Sequence, residues 1–501
     1  MLPNYDVPPR HLEGLRHVLE QAHYSETGIC QRLGIPSIFD FNAGANPQGE
    51  IEDDLALLIR LFLDGEPLAR ARIEAGLDEE AFHHLEKLGL VASRVKHPDL
   101  WYATAHLYPV EGLYIASDRS TPGDPDLGEP LPPDVVYPAI TDNTARFLSI
   151  LPADPCEECL DLCSGTGIAA LVGASRYARH AWATDLGARS VHFAEFNRRL
   201  NGLENVTVAQ GDLYEAIGDR TFDCILAHPP YVPASRQRLL FRDGGEDGEQ
   251  ILCRMIQDLP RHLRPGGRFR CLTFATDRKD EELEQRIRKW LGECEAQFDV
   301  ALIAIETQRK PENVLKAVIQ AKGKLGELGE SSKLFERLGV TALFYGVVDI
   351  SRHGEPRPAG TGRVQKAKTA GREAIEWFTR WVAASARPGF EEALLNSQLQ
   401  IASHLSLQVT HRLVDRELVP SEFRVKSDFP FISDANISPW LAAVIGNCDG
   451  HRAAKDIYAE MQAQEGVAPQ MSAHEFAGYL RLLISQGFLE MPRFPLPVKN
   501  P

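Results

Sequence analysis

The residues with the most specific chemistry in this sequence are four in a row, His228-Pro229-Pro230-Tyr231, at the end of an apolar stretch. Because proline has no backbone N–H group, the carbonyl groups of His228 and Pro229 are left to accept hydrogen bonds. The residue before a proline favours extended backbone, which directs the His228 side chain outward. The segment therefore predicts a site that holds a polar acceptor group, although a rigid turn has the same composition.

A second group of candidate residues lies upstream, in a glycine-rich turn. Residues 158–162 read as a short buried strand, residues 163–167 as a tight turn and residues 168–178 as a helix. Gly165 and Gly167 let the backbone approach a ligand where a Cβ would collide. The free N–H groups of the following helix favour polar or anionic groups. On its own, the turn indicates either a nucleotide-like ligand or ordinary turn glycines.

The segments that follow favour the nucleotide-like ligand. A second strand, residues 181–185, ends in Asp185 about 20 residues past the glycines, where a carboxylate can hold both hydroxyls of a ribose. Further strand patterns occur at residues 205–213 and 221–227. Strands that alternate with helices predict a mostly parallel sheet covered on both faces.

In this arrangement the sequence resembles class I S-adenosylmethionine (SAM) methyltransferases, close to the protein-glutamine N-methyltransferases that act on release factors. Those enzymes carry an Asn-Pro-Pro-Tyr signature, shared with adenine-N6 DNA methyltransferases, at the position of residues 228–231. The runs at residues 242–248 and 264–267 are also similar to runs in the glutamine-methylating relatives. The resemblance extends from about Thr141 to Arg352.

The resemblance implies a Rossmann-like α/β fold, SAM as the cofactor and methyl transfer as the reaction. It implies that Asp185 holds the ribose, that Asp212 and Leu213 flank the adenine, and that residues 137–144 cover the methionine end of SAM. Tyr231 would lie flat against a planar amide or base. The implied catalytic residues are His228, Pro229, Pro230 and Tyr231, and the implied cofactor-binding residues are Asp161, Cys163, Gly165, Thr166, Gly167, Asp185, Leu186, Asp212, Leu213 and His228.

His228 departs from the family pattern, because the relatives have Asn, Asp or Ser there. Asn offers one acceptor and two donors, which suit an amide or an aromatic amine. A neutral imidazole has one donor and one acceptor, and it titrates near neutrality. His228 could therefore act as a general base, which Asn cannot do, or it could only orient an N–H group. With His at this position, the sequence does not determine whether the methyl acceptor is glutamine or adenine. Methyl transfer remains the implied reaction.

The composition limits the class of protein. The 501 residues carry a formal net charge of −16, which argues against broad, nonspecific binding of nucleic acid. No apolar run reaches the length of a membrane span, and no signal-peptide core is present. Nine scattered cysteines favour reduced thiols in a cytoplasmic protein. The single pair Cys156 and Cys159 predicts neither a metal site nor a redox site, but a loop that leads into a strand.

The sequence predicts three domains, at residues 1–130, 131–355 and 356–501. The first is helical with terminal strands, winged-helix-like, and suited to docking or substrate positioning. Asp78 is expected to cap its helix at residues 79–88, which is too acidic for phosphate contacts. The second is the methyltransferase domain, with an antiparallel edge formed by residues 298–306 and 341–350. The third, partly winged-helix-like, follows a linker at residues 356–368. It is expected to contain a docking stripe at Trp377 and Trp381, a strand pair at residues 405–412 and 417–425, and a capping box that Ser472 opens at the last helix.

The leading hypothesis is a SAM-dependent methyltransferase that acts on a nitrogen of a protein or nucleic-acid amide or amine. A protein or a small molecule is favoured over nucleic acid as the acceptor. One alternative is an O-, S- or N-methyltransferase of a small metabolite. Another is a SAM-binding protein that has lost its chemistry and serves in assembly or regulation.

Overall fold

The computed structural model describes residues 2–42, 51–119, 124, 127–128, 130, 132–234, 239–308, 333–463 and 469–498. The chain divides into two compact units, residues 1–264 and 265–501, each of which has its own core. The predicted domain boundaries at residues 130 and 355 stay a prediction. No helix within the described ranges is long and apolar enough to span a bilayer.

The N-terminal part of unit 1 is helical and closes with short antiparallel strands. Its helices are α1 (Pro9–Gln21), α2 (Glu26–Leu33), α3 (Asp54–Leu58, continued by a π-helical turn at Ile59–Leu63) and α4 (Arg70–Lys87), and its strands are β1 (Leu68–Ala69), β2 (Val91–Ser93), β3 (Leu100–Ala103), β4 (His106–Val110) and β5 (Leu113–Ser117). Within α4, the backbone leaves helical geometry at Asp78, whose carboxylate accepts a hydrogen bond from the Ala81 N–H at 2.8 Å. The predicted helix cap at Asp78 is confirmed.

A parallel sheet forms the rest of unit 1. Its strands are β6 (Cys156–Leu162), β7 (Ala178–Asp185), β8 (Val206–Gln210) and β9 (Phe222–Ala227), and the helices are α5 (Asp142–Ser149), α6 (Ile168–Arg176), α7 (Ala188–Leu200), α8 (Gln250–Gln257) and α9 (Leu259–His262). The strand order is β9-β6-β7-β8, and all three pairings are parallel, as predicted. The order reverses between β6 and β9, and ligands of such sheets bind outside the carboxyl ends of the strands at that point.

Helix α7 ties the N-terminal strands to the glycine-rich turn. The Asn197 side chain is fully buried, accepts a hydrogen bond from the Ala116 N–H at 2.7 Å and donates to the carbonyl oxygens of Ala116 and Thr166, both at 3.0 Å. One turn further, Asn201 makes the same pair of bonds to the backbone of Tyr114. The N-terminal part is therefore joined to the parallel sheet by bonds that fix its register.

Four further strands organise unit 2. They are β10 (Leu263–Arg278), β11 (Phe298–Gln308), β12 (Val340–Arg352) and β13 (Thr361–Gln365), in the order β13-β11-β12-β10, and helix α10 (Leu283–Leu291) lies between β10 and β11 along the chain. The predicted antiparallel pairing of β11 with β12 is confirmed, but β13 lies outside β11, so these two strands do not themselves form the edge. The predicted linker at residues 356–368 is wrong in part, because β13 lies within it and pairs parallel to β11. The polar composition of residues 356–368 does not predict a strand, and β13 is a short edge strand stabilised by its pairing with β11.

The C-terminal part of unit 2 contains helices and a long hairpin. The helices are α11 (Arg372–Ser385), α12 (Phe390–Leu395), α13 (Pro439–Asn447), α14 (Ala454–Ala463) and α15 (Ala473–Ser485), and the strands are β14 (Gln398–Ile401), β15 (Leu405–Val414), β16 (Glu417–Ser427), β17 (Ser433–Ile437), β18 (Asp449–Ala453) and β19 (Leu489–Glu490). The predicted strand pair, β15 with β16, and the predicted capping box at Ser472 are confirmed. Winged-helix character at either end of the chain stays a prediction.

Candidate active site

The glycine-rich turn between β6 and α6 adopts backbone that glycine makes possible. Gly165 and Gly167 have φ angles of 54° and 79°, and Cys163 shares the left-handed region at 58°. A Cβ on Gly165 would meet nothing within 4 Å, whereas one on Gly167 would lie 3.0 Å from the Ala194 side chain. Gly167 is thus required by helix packing and Gly165 by its φ angle, and the space in front of Gly165 is open to a ligand.

Asp185 closes this turn from the end of β7. Its carboxylate accepts hydrogen bonds from the backbone N–H groups of Gly165 at 2.9 Å and Gly187 at 2.8 Å. Burial raises the pKa of Asp185, and the two backbone donors oppose that rise. The next side chain, Leu186, is exposed although it is apolar. An anchored carboxylate beside an open apolar surface is what a ribose and its attached base require.

Two buried polar side chains, one in β6 and one in the turn itself, also match a ligand such as SAM. Asp161, in β6, accepts a hydrogen bond from the Ala170 N–H at 3.2 Å, and burial raises its pKa to about 8. The Ser164 hydroxyl is buried and has no hydrogen-bond partner among the residues that the structure describes. Buried polar atoms are rarely left unpaired, so Ser164 is an addition to the residues selected from the sequence. With the open space at Gly165, these features fit SAM.

The remaining predicted cofactor residues occupy different environments. Thr166 is buried, and its carbonyl oxygen is bound by Asn197. The Asp212 carboxylate is paired with Arg254 at 2.8 Å, and Leu213 is buried with a φ angle of 54°. Asp212 and Leu213 follow β8, on the same edge of the sheet as the glycine-rich turn. Their contact with an adenine stays a prediction.

The segment His228-Pro229-Pro230-Tyr231 leaves the sheet at the neighbouring strand end. In the sheet register, Leu162, the last residue of β6, is paired with Thr184 on one side and with Ala227 on the other. The glycine-rich turn, Asp185 and His228 therefore all follow these paired positions directly. The His228 and Tyr231 rings stack, with centroids 5.9 Å apart and planes 27° apart. Tertiary structure thus brings the predicted cofactor turn and the predicted acceptor segment together.

Helix α5 contributes two residues whose contacts with this segment were not predicted. Asn143 belongs to the segment, residues 137–144, that was expected to cover the methionine end of SAM, and Phe147 lies beyond it. The Asn143 side chain donates a hydrogen bond to the Tyr231 hydroxyl at 3.1 Å, and the Phe147 ring lies 5.2 Å from the His228 ring. Asn143 and Phe147 are four residues apart, so they share one face of the helix. The sequence indicated only that residues 137–144 resemble a segment of the family and lead into a helix. Side-chain contacts cannot be predicted from that.

The N-terminal strands hold the segment that precedes α5. The Tyr108 hydroxyl, in β4, accepts a hydrogen bond from the Ala139 N–H at 2.6 Å. Asp118, just after β5, accepts one from the Val136 N–H at 2.8 Å and forms a buried ion pair with Arg189 at the start of α7. These bonds position the backbone that leads into α5, and hence Asn143.

A glycine-rich loop, residues 242–248, packs against the other side of the acceptor segment. The Val232 N–H donates to the Arg242 carbonyl, and the Gly244 N–H donates to the Val232 carbonyl, both at 2.9 Å. A Cβ on Gly244 would lie 2.7 Å from the Pro230 carbonyl oxygen and from the Tyr231 Cα. Glycine is therefore needed at position 244 for backbone to lie directly on backbone.

The comparisons with known proteins find methyltransferases. A family model described as the methyltransferase small domain matches residues 137–300. The chain is 32% identical over 162 residues to the ribosomal protein uL3 glutamine methyltransferase of Bradyrhizobium diazoefficiens, a match that covers 30% of this chain and 50% of that one. It is 30% identical over 161 residues to a putative protein N5-glutamine methyltransferase of Methanocaldococcus jannaschii, which covers 31% of this chain and 80% of that one.

A solved structure, the ribosomal protein L11 methylase of Lactobacillus delbrueckii subsp. bulgaricus, is 20% identical, with a TM-score of 0.25 and coverage of 42% of this chain and 78% of that one. The chain spans half the length of the Bradyrhizobium relative but four fifths of the Methanocaldococcus relative. On that second match, the chain belongs to the SAM-dependent methyltransferase family that includes the protein N5-glutamine methyltransferases.

Proposed function

We propose that this protein transfers a methyl group from SAM to a nitrogen atom of a protein, with the side-chain amide of glutamine as the first candidate acceptor. The observation that carries the proposal is the pairing of Leu162 with both Thr184 and Ala227. It sets the cofactor turn and the acceptor segment on adjacent strand ends, as transfer of a group between two bound molecules requires. The relatives that match are named for the methylation of glutamine in ribosomal protein uL3 and in release factors.

The cofactor-binding roles follow the residues selected from the sequence, with Ser164 added. Asp185 binds the ribose, Leu186 covers the adenine together with Asp212 and Leu213, and Asp161 in β6 and Ser164 in the turn itself offer buried polar groups to the cofactor. When bound, SAM supplies an electrophilic methyl group, and the acceptor nitrogen gives up one proton in exchange. The protein contributes mainly by positioning the acceptor and excluding water from it.

The acceptor-binding residues act through hydrogen bonds and a flat surface. The carbonyl oxygens of His228 and Pro229 accept hydrogen bonds from the amide NH₂ group, which aims the nitrogen lone pair at the methyl group. Tyr231 supplies the flat ring, and Asn143 fixes its hydroxyl. His228, held between Phe147 and Tyr231, orients an N–H group as Asn does in the relatives.

The N-terminal residues serve to position the acceptor. Tyr108 and Asp118 bind the backbone that leads into α5, and α5 in turn contacts Tyr231 and His228. A change in this region therefore reaches the acceptor segment through these hydrogen bonds and the backbone that joins Ala139 to Asn143. That supports a positioning role over one in binding nucleic acid.

The test is methyl transfer from radiolabelled SAM to purified protein acceptors. Release factors and ribosomal protein uL3 from the source cell would be incubated with the full chain, and labelled peptides located by mass spectrometry. We expect one methyl group on a glutamine side chain. The matched control is the same acceptor with that glutamine replaced by asparagine, which keeps the amide but withdraws it by one methylene.

Labelling of the control acceptor at an unrelated site would contradict the proposed geometry. Labelling of small molecules alone in a cell extract would favour the small-metabolite alternative. SAM binding with no labelled product from any extract would favour the assembly or regulatory alternative.

A further inference from the structure

The long hairpin in unit 2 has an exposed edge with an unusual residue pattern. Strands β15 and β16 pair over ten residues, and β17 pairs only with the part of β16 nearest the body of the unit, residues 423–427. Within the described parts of the chain, β15 pairs with β16 alone, so its outer edge has no strand beside it. Proteins usually protect such an edge with charged side chains, especially lysine, with proline, with a bulge or by keeping the strand short. The ten residues of β15 contain no lysine and no proline, and Arg412 is their one charged residue.

The side chains of β15 form one apolar stripe. Alternate residues of a strand share a face, and one face of β15 carries Leu405, Leu407, Val409, His411 and Leu413. Leu405 is half-buried, and the stripe is exposed from Leu407 onwards, from 37% at Val409 to 71% at Leu413. Across the hairpin, Leu413 is paired with Leu418, which is also exposed. The irregularity in the pairing skips Ser421 in β16, so the alternation in β15 is unbroken.

We propose that β15 is a homodimer interface, in which two copies pair their β15 edges antiparallel about a two-fold axis at Val409. Residues that face each other in an antiparallel pair project from the same side of the sheet. When the two-fold axis passes through a residue, that residue faces its own copy, and the apolar stripes of the two copies lie on the same side of the joined sheet. A register shifted by one residue would put the stripes on opposite sides. In this register Leu413 lies opposite Leu405 and His411 lies opposite Leu407.

The charges and the turn agree with self-pairing. The one charged residue of β15 is Arg412, and in this register it lies opposite Ser406, so no like charges meet. A heterologous partner strand would need its own matching stripe, whereas a second copy has it by symmetry. At the tip, Asp415 and Arg416 both have positive φ angles, 50° and 73°, typical of the tight turn that keeps a two-residue hairpin loop rigid.

The test is sedimentation velocity of the full chain over a wide range of concentration, because one strand pair makes a small interface of modest affinity. We expect a reversible dimer. Val409→Lys places two lysines against each other at the axis and should weaken the dimer roughly tenfold or more. Val409→Glu should do the same. An equimolar mixture of the two variants should recover a dimer, because opposite charges then meet.

The matched control is Val419→Lys, since Val419 has a similar exposure, 43% against 37%, but lies on β16, away from the edge. Its dimer should persist. Leu407→Lys is a second disruptive variant, and circular dichroism checks that each variant is folded. A wild-type chain that stays monomeric at every concentration overturns the proposal, as does a Val409→Lys dimer of unchanged affinity or a mixture that fails to associate.

Discussion

The Asn143 side chain donates a hydrogen bond to the Tyr231 hydroxyl at 3.1 Å, across 88 residues of sequence. This bond connects helix α5 to the segment that follows β9. One turn further along α5, the Phe147 ring contacts the His228 ring. The acceptor segment is therefore held on one side by α5 and on the other by the loop at residues 242–248. Its geometry depends on residues outside the family signature.

Replacing Asn143 with alanine should reduce kcat/KM about fivefold. One hydrogen bond contributes about 1 kcal/mol, which corresponds to about a factor of five in rate. SAM affinity should change less than kcat/KM, because the Asn143 side chain donates its hydrogen bond to the acceptor segment. Steady-state kinetics and calorimetry measure the two quantities. In a Tyr231→Phe background the same substitution should cost little more, since the bond is already absent, and an additive loss would contradict the role given to Asn143.

His228→Asn should retain most of the activity. We propose that His228 has the orienting role that Asn has in the relatives. An Asn side chain has no ionisable group, so its orienting role does not depend on pH. The pH profile of kcat/KM should therefore be flat near neutrality in the variant. If His228 were a general base, the substitution would cost ~10²–10⁴-fold, and wild-type kcat/KM would fall on acidification through the range where imidazole titrates. A nearly inactive variant that still binds SAM would decide for the base.

Asp185→Ala should weaken SAM binding by ~1–3 kcal/mol, the scale of leaving buried polar partners unpaired. The Asp185 carboxylate is the acceptor for the N–H groups of Gly165 and Gly187, so the loss affects both the turn and the ribose. Calorimetry measures the affinity. Asp219→Ala, which removes an exposed carboxylate elsewhere in unit 1, is the control for charge alone. Equal affinities in all three proteins would remove the ribose assignment.

Gly244→Ala should reduce kcat about 10²-fold, the scale of a displacement of about 1 Å at a reacting group. Its Cβ would lie 2.7 Å from the Pro230 carbonyl oxygen and the Tyr231 Cα, so the acceptor segment must move. Gly354→Ala is the control, because a Cβ there meets nothing within 4 Å. Single-turnover kinetics at saturating SAM measure the effect. Full activity of Gly244→Ala would show that the loop at residues 242–248 moves and the acceptor segment stays in place.

The stability of the protein should fall as pH rises from about 4 to about 8, in part because of Asp161. Burial raises its pKa from 3.8 to about 8. In this range the unfolded chain loses the proton and the folded protein keeps it, so the folded state binds more protons and loses stability with rising pH. Asp161→Asn cannot ionise and should lessen this loss. Urea unfolding at about pH 5 and about pH 8 measures it. A parallel pH dependence in both proteins would contradict the raised pKa.

Much of the parallel sheet and its cofactor turn could be predicted from the sequence. Buried strands, a glycine-rich turn and a helix are local patterns, and Asp185 follows its strand at a spacing that chain geometry imposes. The helix cap at Asp78 and the capping box at Ser472 were likewise readable, because a cap depends on residues three apart. Strand β13 was missed because its pairing with β11, not its own composition, stabilises it.

Only the tertiary structure decided which residues surround the acceptor segment. Asn143 and Phe147 have no special pattern in sequence, and their role follows from the packing of α5 against residues more than 80 positions away. Likewise, the buried pair Trp377 and Trp381 read as a docking stripe, but it packs against Phe390 and Phe431 within its own unit. Local interactions determine the elements of this chain, whereas long-range packing determines which side chains meet.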